Sequence, residues 1–160
     1  MYFRMLHDEA SGAMSYLLAD ADAGEAVLID PRGADVPLLL AMLDERRLRL
    51  RWVLRTHEHD AMLAGEAAAL SMLGAPVVEH RVPAGADGVL AFGHEHLRAV
   101  ATPGHTAGCL SFLWRDRLFC GDLLAVEACP FQPRPARPEA LWNSRSEEHT
   151  SELQSQSLIS

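Results

Sequence analysis

In Arg55–Gly65, RTHEHDAMLAG, two histidines lie one residue apart just after a short apolar segment. That segment, Trp52–Leu54, is typical of a strand end covered on both faces. Because a strand end is rigid backbone, side chains placed there can be aimed into a shared site. His57 and His59 are therefore candidate metal ligands, although a lone H-x-H pattern is more often unrelated to metal.

Two further polar residues share this placement. His105 lies in the glycine loop TPGHTAG, and Asp122 follows an apolar strand in FCGDLL, where Gly121 allows a sharp turn. Imidazoles combined with one carboxylate suit a transition metal such as zinc or iron. The sequence therefore predicts a metal site that combines the paired His57 and His59 with His105 and Asp122. His59 is either a fourth ligand or a residue that supports the other three.

The remaining segments alternate between strands and helices, as in a layered α/β protein. Met14–Leu18 and Ala26–Ile29 flank a turn and predict a hairpin. Asp35 is a predicted N-cap, and the alanine-rich segment after the paired histidines favours a helix. GVLAFGHEHLRAVAT predicts a second hairpin around Gly93, and LSFLW and RLFCGD predict two more strands. PEALWNS can begin a helix at Pro138.

Composition limits the class of protein. The chain has 160 residues and a formal net charge of −8, which argues against a nucleic-acid partner. No apolar run approaches the length needed to cross a membrane, and the N-terminus lacks a secretory pattern. The three cysteines, Cys109, Cys120 and Cys129, suit a reducing compartment. We expect a soluble cytoplasmic protein with no nucleic-acid or membrane partner, and a homodimer is left open.

The composition changes near the end of the chain. Arg145–Ser160, RSEEHTSELQSQSLIS, contains no alanine and shows no helical or strand period. It is either a polar disordered terminus or an artefact, since RSEEHTSELQS resembles the translation of a common DNA sequencing adapter. We therefore expect a domain over residues 1–144, truncated at its C-terminus, and an artefactual or disordered tail over residues 145–160.

The other histidines are predicted to be surface residues. His94 and His96 form a second H-x-H pattern, which we assign to a solvated strand face. His7 and His80 are assigned to the surface individually, and His149 lies in the tail and is not a candidate ligand.

Taken together, the order and spacing of four segments resemble the metallo-β-lactamase superfamily, whose pattern runs T-H-x-H-x-D-H, then G-H, then a lone Asp after a strand. The segments are YLLADADAGEAVLIDP, LRLRWVLRTHEH, ATPGHTAGCLSF and FCGDLL. Within the superfamily the chain is most similar to the persulfide dioxygenases and to the hydroxyacylglutathione hydrolases of the glyoxalase II type. The resemblance covers Tyr2 to about Ser144 and implies an αββα sandwich.

The chain departs from the superfamily pattern directly after the paired histidines. His57 and His59 match T-H-x-H-x-D-H, but Ala61 falls on the Asp and Met62 on the final His. In the two-metal hydrolases of the superfamily, those two residues hold the second metal. Alanine has no donor atom, and a thioether is a poor ligand for a site that activates water. We therefore expect that second site to be absent and a single ion to be bound.

The resemblance implies three functions in order of preference. In the persulfide dioxygenases a single iron is held by residues that map onto His57, His105 and Asp122, and two histidines with one carboxylate are typical of non-haem Fe(II) oxygenases. The resemblance therefore favours a persulfide dioxygenase-like enzyme that converts a thiol persulfide and O₂ to sulfite and a thiol. The first alternative is a glyoxalase II-like thioester hydrolase that uses Zn(II). The second is an inactive fragment of this fold. No catalytic residue beyond the metal ligands is assigned.

The segment after the metal Asp leaves the thiol substrate open. In persulfide dioxygenases it typically reads C-G-R-T-D-F, whereas here it reads ACPFQPRP. Cys129, Phe131 and Gln132 are similar to that segment, but the Arg-Thr-Asp part is missing. Glutathione is the expected carrier from the resemblance alone.

Overall fold

A computed structural model of the chain describes residues 1–58, 63–83, 88–124, 134–150 and 157–159. At 63–64, 147–150 and 157–159 it describes the backbone alone. The strands are β1 (Tyr2–His7), β2 (Met14–Asp20), β3 (Glu25–Ile29), β4 (Arg49–Leu54), β5 (Val77–Val78), β6 (Val89–Phe92), β7 (Glu95–Ala101), β8 (Leu110–Trp114), β9 (Arg117–Phe119) and β10 (Ser157–Ile159). The α-helices are α1 (Val36–Glu45), α2 (Leu63–Ser71) and α3 (Pro138–Thr150), and 3-10 turns occupy Gly33–Asp35 and Gly121–Leu124. Across these described ranges, no helix is both long and apolar enough to cross a membrane.

The strands form two five-stranded sheets. The first has the order β1-β2-β3-β4-β5, antiparallel from β1 to β3 and parallel from β3 to β5. The second has the order β10-β9-β8-β7-β6, in which β7, β8 and β9 are antiparallel and β10 is parallel to β9. Two sheets with intervening helices confirm the predicted α/β class.

The chain divides into two compact units, of which the first contains Met1–Arg55, Met62–Val78 and Ala91–His96. The predicted hairpin is the antiparallel pair β2 and β3. Both strands are almost continuously buried, which explains why their sequences are apolar on successive residues rather than on alternate ones. The core of this unit joins side chains from strands and helices, including Leu17, Leu28, Val53, Leu39, Leu43 and Leu70.

The prediction that the side chain of Asp35 caps α1 is wrong. Asp35 precedes the helix as predicted, but its side chain makes no capping hydrogen bond. The carboxylate instead accepts hydrogen bonds from Arg32, at 2.7 Å from Nε and 2.8 Å from Nη2. The backbone of Asp35 is helical, with φ −91° and ψ −4°, whereas a capping residue is usually extended, so its side chain is directed away from the first turn.

The second unit contains Thr56–Ala61, Glu79–Leu90 and Leu97–Ser160. Its buried side chains include large aromatic residues of β8 and β9, among them Phe112, Trp114 and Phe119. Here α3 continues to Thr150 and β10 pairs with β9, although the sequence predicted neither helix nor strand after residue 144. Once a helix has begun, each added residue gains a backbone hydrogen bond at small cost, so weakly helical residues can extend it. The division at residue 144 and the artefactual origin of the tail stay predictions.

In the first unit, the carboxylate of Asp20 organises two turns. Its Oδ1 accepts the backbone N–H groups of Asp22 and Ala23, and its Oδ2 accepts the backbone N–H of His94 at 2.8 Å. The ring Nδ1 of His94 lies 2.9 Å from the same oxygen. These contacts lower the pKa of the Asp20 carboxyl to about 2, and the backbone N–H of His94 is the largest cause. The turn also needs Gly93, since a Cβ there would lie 2.6 Å from Oδ2 of Asp20.

We expect Asp20→Asn to reduce the loss of stability in acid. The folded pKa of about 2 lies below the unfolded value of about 3.9, so the carboxylate stabilises the fold above pH 4, and this contribution is lost as the pH falls toward 2. Urea unfolding should therefore show a stability difference between wild type and variant that is largest above pH 4 and shrinks toward pH 2. Asp44→Asn, at an exposed carboxylate, is the control and should follow wild type. A difference that stays constant from pH 6 to pH 2 would contradict the assignment.

Candidate metal centre

Three predicted ligands come together in the second unit. Donor atoms of His57, His105 and Asp122 all lie within 4.8 Å of one another. Oδ2 of Asp122 is 3.5 Å from Nε2 of His57 and 3.6 Å from Nε2 of His105. The two imidazole rings meet edge to face, with centroids 5.2 Å apart and planes at 77°. This geometry directs two nitrogens and one carboxylate oxygen at a common point.

The spacing of the donors fits a single first-row transition-metal ion. With metal–ligand bonds of about 2.1 Å, donors lie about 3.4 Å apart around a tetrahedral ion and about 3.0 Å apart at adjacent octahedral positions. The observed separations of 3.5 and 3.6 Å are near the tetrahedral value and within about 0.6 Å of the octahedral one. Side-chain movements of this size would bring the donor atoms to either geometry.

The site is enclosed on the side of the histidines and open at the carboxylate. The side chain of His105 is 8% exposed and that of His57 is 20% exposed, whereas that of Asp122 is 32% exposed. A small molecule can therefore approach the donors from the side of Asp122.

His57 is oriented by the residue that precedes it. The hydroxyl Oγ1 of Thr56, a buried side chain, lies 2.9 Å from Nδ1 of His57. The carbonyl of Thr56 accepts the backbone N–H of Leu110, the first residue of β8, at 2.8 Å. The contact at Nδ1 leaves Nε2 as the nitrogen that faces Asp122, which is the way a supporting group directs a metal-binding imidazole.

Asp122 is placed by the glycine before it. Gly121 has a φ of +51°, which confirms the sharp turn predicted from the sequence. The structure adds a second reason for glycine, because a Cβ there would contact Oγ1 of Thr56 and lie 2.9 Å from Nδ1 of His57. The backbone that carries the carboxylate thus passes directly against the segment that carries the first imidazole.

The loop that carries His105 is closed by its own backbone and one thiol. The N–H of Thr102 donates to the carbonyl of Cys109, and the N–H of Gly104 donates to the carbonyl of Thr106, both at 2.9 Å. Sγ of Cys109 accepts the backbone N–H of Thr106 at 3.2 Å. These bonds fix the tight turn on which His105 lies.

The segment around α3 supports this loop, although the sequence did not predict such a contact. The N–H of Ala136 donates to the carbonyl of His105 at 3.1 Å, and Oγ of the buried Ser144 donates to the carbonyl of Pro103 at 2.9 Å. Nε of Arg145, the first residue of the predicted tail, donates at 2.6 Å to the carbonyl of Leu123, the residue after Asp122. Each of these three hydrogen bonds ends on a backbone carbonyl, so no pattern of residue types marks them.

Several predicted residues lie outside the described part of the chain. They are His59, Ala61, Met62, Cys129, Phe131 and Gln132. The prediction that His59 is a ligand or a supporting residue therefore stays a prediction. The expected absence of a second site of the two-metal type rests on the residue types at positions 61 and 62.

Comparisons with known proteins show which proteins the chain is similar to. No family model matches the chain. The chain is 33% identical over 136 residues to the human protein named persulfide dioxygenase ETHE1, mitochondrial. This match covers 79% of the chain and 54% of the relative. The chain is also 36% identical over 124 residues to the hydroxyacylglutathione hydrolase of Anaeromyxobacter dehalogenans. This match covers 72% of the chain and 47% of the relative. The crystal structure of ETHE1 from Myxococcus xanthus matches with a TM-score of 0.74 and 32% identity, over 91% of this chain and 68% of that one.

The chain belongs to the metallo-β-lactamase superfamily, and solved metallo-β-lactamases share its fold. Within the superfamily it is similar both to persulfide dioxygenases and to hydroxyacylglutathione hydrolases, which confirms the predicted resemblance. The chain spans about half the length of the curated relatives it matches.

We expect Gly121→Ala to weaken metal retention. The added methyl group would contact Thr56 and crowd Nδ1 of His57, and alanine is strained at a φ of +51°. Metal per chain, measured by mass spectrometry after gel filtration of protein expressed with iron and zinc, should fall well below the wild-type value. Gly65→Ala is the matched control, since a Cβ at Gly65 meets nothing within 4 Å. Full metal retention in a folded Gly121→Ala protein would show that this close approach is not needed.

Proposed function

We propose that the chain is a metal-dependent oxidoreductase of the persulfide dioxygenase type, with one metal ion in its active site. One observation carries the proposal: two imidazoles and one carboxylate converge within 4.8 Å. Ala61 and Met62 support it, because they replace the donors of a second metal in the pattern of the two-metal hydrolases. The similarity to ETHE1 proteins of human and Myxococcus xanthus supports the same choice.

In this proposal His57, His105 and Asp122 would hold Fe(II). Two histidines and one carboxylate on one face of an ion leave its other positions open, as in the non-haem iron oxygenases. When bound, the iron supplies the redox chemistry with O₂ that protein side chains lack. Thr56 keeps the imidazole of His57 in place, and the partly exposed carboxylate leaves an approach for the substrate.

The proposed reaction balances without a further reductant. A thiol persulfide, O₂ and water give the thiol, sulfite and two protons. The sulfur–sulfur bond breaks, the outer sulfur loses four electrons in becoming sulfite, and O₂ accepts those four electrons. The substrate is a small-molecule thiol persulfide, with glutathione as the proposed carrier. The sparse cysteines support a reducing, cytoplasmic setting for this chemistry.

The second candidate is a glyoxalase II-like thioester hydrolase. The donor separations of 3.5 and 3.6 Å favour it, because they are closer to the tetrahedral shell that Zn(II) prefers. One zinc ion lowers the pKa of a bound water enough to supply a nucleophile near neutral pH. The similarity to hydroxyacylglutathione hydrolases supports this alternative.

Oxygen uptake on glutathione persulfide tests the proposal. Protein loaded with one iron per chain should consume O₂ and release sulfite in equal amounts. His105→Gln and Asp122→Asn should each lose about tenfold or more of this activity, because the remaining donors hold the metal poorly. His96→Gln removes an exposed imidazole elsewhere and should retain full activity.

The other outcomes separate the remaining candidates. Absence of O₂ uptake by iron-loaded protein, together with hydrolysis of a glutathione thioester by the zinc form, would replace the dioxygenase by the hydrolase. Absence of both activities in a folded, metal-loaded chain would identify it as an inactive fragment of the fold.

A further inference from the structure

A second group of potential ligands lies in the same unit as the metal centre and shares no residue with it. Donor atoms of Glu58, Glu79 and His80 all lie within 4.8 Å of one another. Nε2 of His80 is 2.9 Å from Oε2 of Glu58. Glu58 directly follows His57 in the chain, and the other two residues directly follow β5. The sequence predicted His80 only as a surface residue.

The chemistry of this group favours a divalent cation. Two carboxylate oxygens and one imidazole nitrogen within 4.8 Å of one another form a donor set that one divalent cation can bridge. The side chain of Glu58 is only 11% exposed, so water screens its charge poorly. Sets of carboxylates alone suit calcium or magnesium, whereas an imidazole among them shifts the preference toward zinc and similar ions.

The position of the His80 imidazole is fixed from behind. A Cβ at Gly108 would lie 3.0 Å from Cα and 3.1 Å from Nδ1 of His80, so the backbone of Gly108 packs against the ring. The Nε2 end of the ring is the end that meets Glu58. The backbone of His80 has a φ of +63°, an uncommon conformation for a residue with a side chain. The donor is thus held in place by a chain segment three residues from His105.

We propose that Glu58, Glu79 and His80 form a second divalent-cation site, with Zn(II) as the ion that fits the donors best. This site differs from the second site of the two-metal hydrolases, which would use positions 61 and 62. The side chain of His80 is 57% exposed, so an ion bound there would lie open to solvent. The site depends on neither of the two proposed activities.

Zinc binding at equilibrium tests the second site. The 160-residue chain, freed of metal and titrated with Zn(II) at pH 7 by calorimetry, should bind two ions per chain. His57→Ala should remove the first site and leave one ion bound. In that background, Glu79→Gln and His80→Gln should each weaken the remaining affinity about tenfold or more. Glu45→Gln and His96→Gln, at exposed residues, are the matched controls and should leave it unchanged.

A second measurement needs no variant. In wild-type chain, Zn(II) beyond one equivalent should shift the imidazole NMR resonances of His80 and leave those of His96 in place. The site is excluded if His57→Ala binds no zinc, if both Glu79→Gln and His80→Gln retain the parent affinity, or if the His80 resonances do not respond. Oxygen uptake by iron-loaded Glu79→Gln protein reports on the metal centre separately, so failure of one proposal leaves the other testable.

Discussion

The candidate metal centre depends on the close approach of Gly121 to Thr56 and His57, which leaves no room for a side chain. That approach places the carboxylate of Asp122 3.5 Å from the first imidazole. The hydrogen bond from Leu110 to the carbonyl of Thr56 joins the same segment to β8. Ligands far apart in the sequence thus share one site because backbone contacts, rather than ligand contacts, bring their segments together.

The sequence predicted the parts of the site that residue types reveal. His57, His105 and Asp122 were identifiable because each lies at a strand end or in a glycine loop, positions where a rigid scaffold often carries binding residues. The hairpin of β2 and β3 and the turn at Gly93 were predicted for similar reasons, since apolar runs and glycine have strong local preferences.

Contacts between distant segments could not be predicted in this way. The side chain of Asp35 binds Arg32 rather than capping α1, because the backbone of Asp35 is helical and not extended. The support of the His105 loop by Ser144 runs to a backbone carbonyl, which every residue possesses. The group around His80 combines two segments that no short pattern links.

The similarity to two enzyme classes is physically consistent with one donor set. Two imidazoles and a carboxylate can hold iron for oxygen chemistry or zinc for hydrolysis, and the fold serves both. What distinguishes the chain from the two-metal pattern is the loss of donors at Ala61 and Met62. Under either proposed function, the identity of the ion would decide which reaction these donors support.

X-ray absorption at the metal edge of purified, gel-filtered chain tests whether the three donors bind one ion. Convergence of three donors predicts two imidazole ligands per retained ion, with nitrogen and oxygen bonds of about 2.1 Å, and one imidazole fewer in His105→Gln. An ion bound without imidazole, or a spectrum that is the same in wild type and His105→Gln, would contradict it.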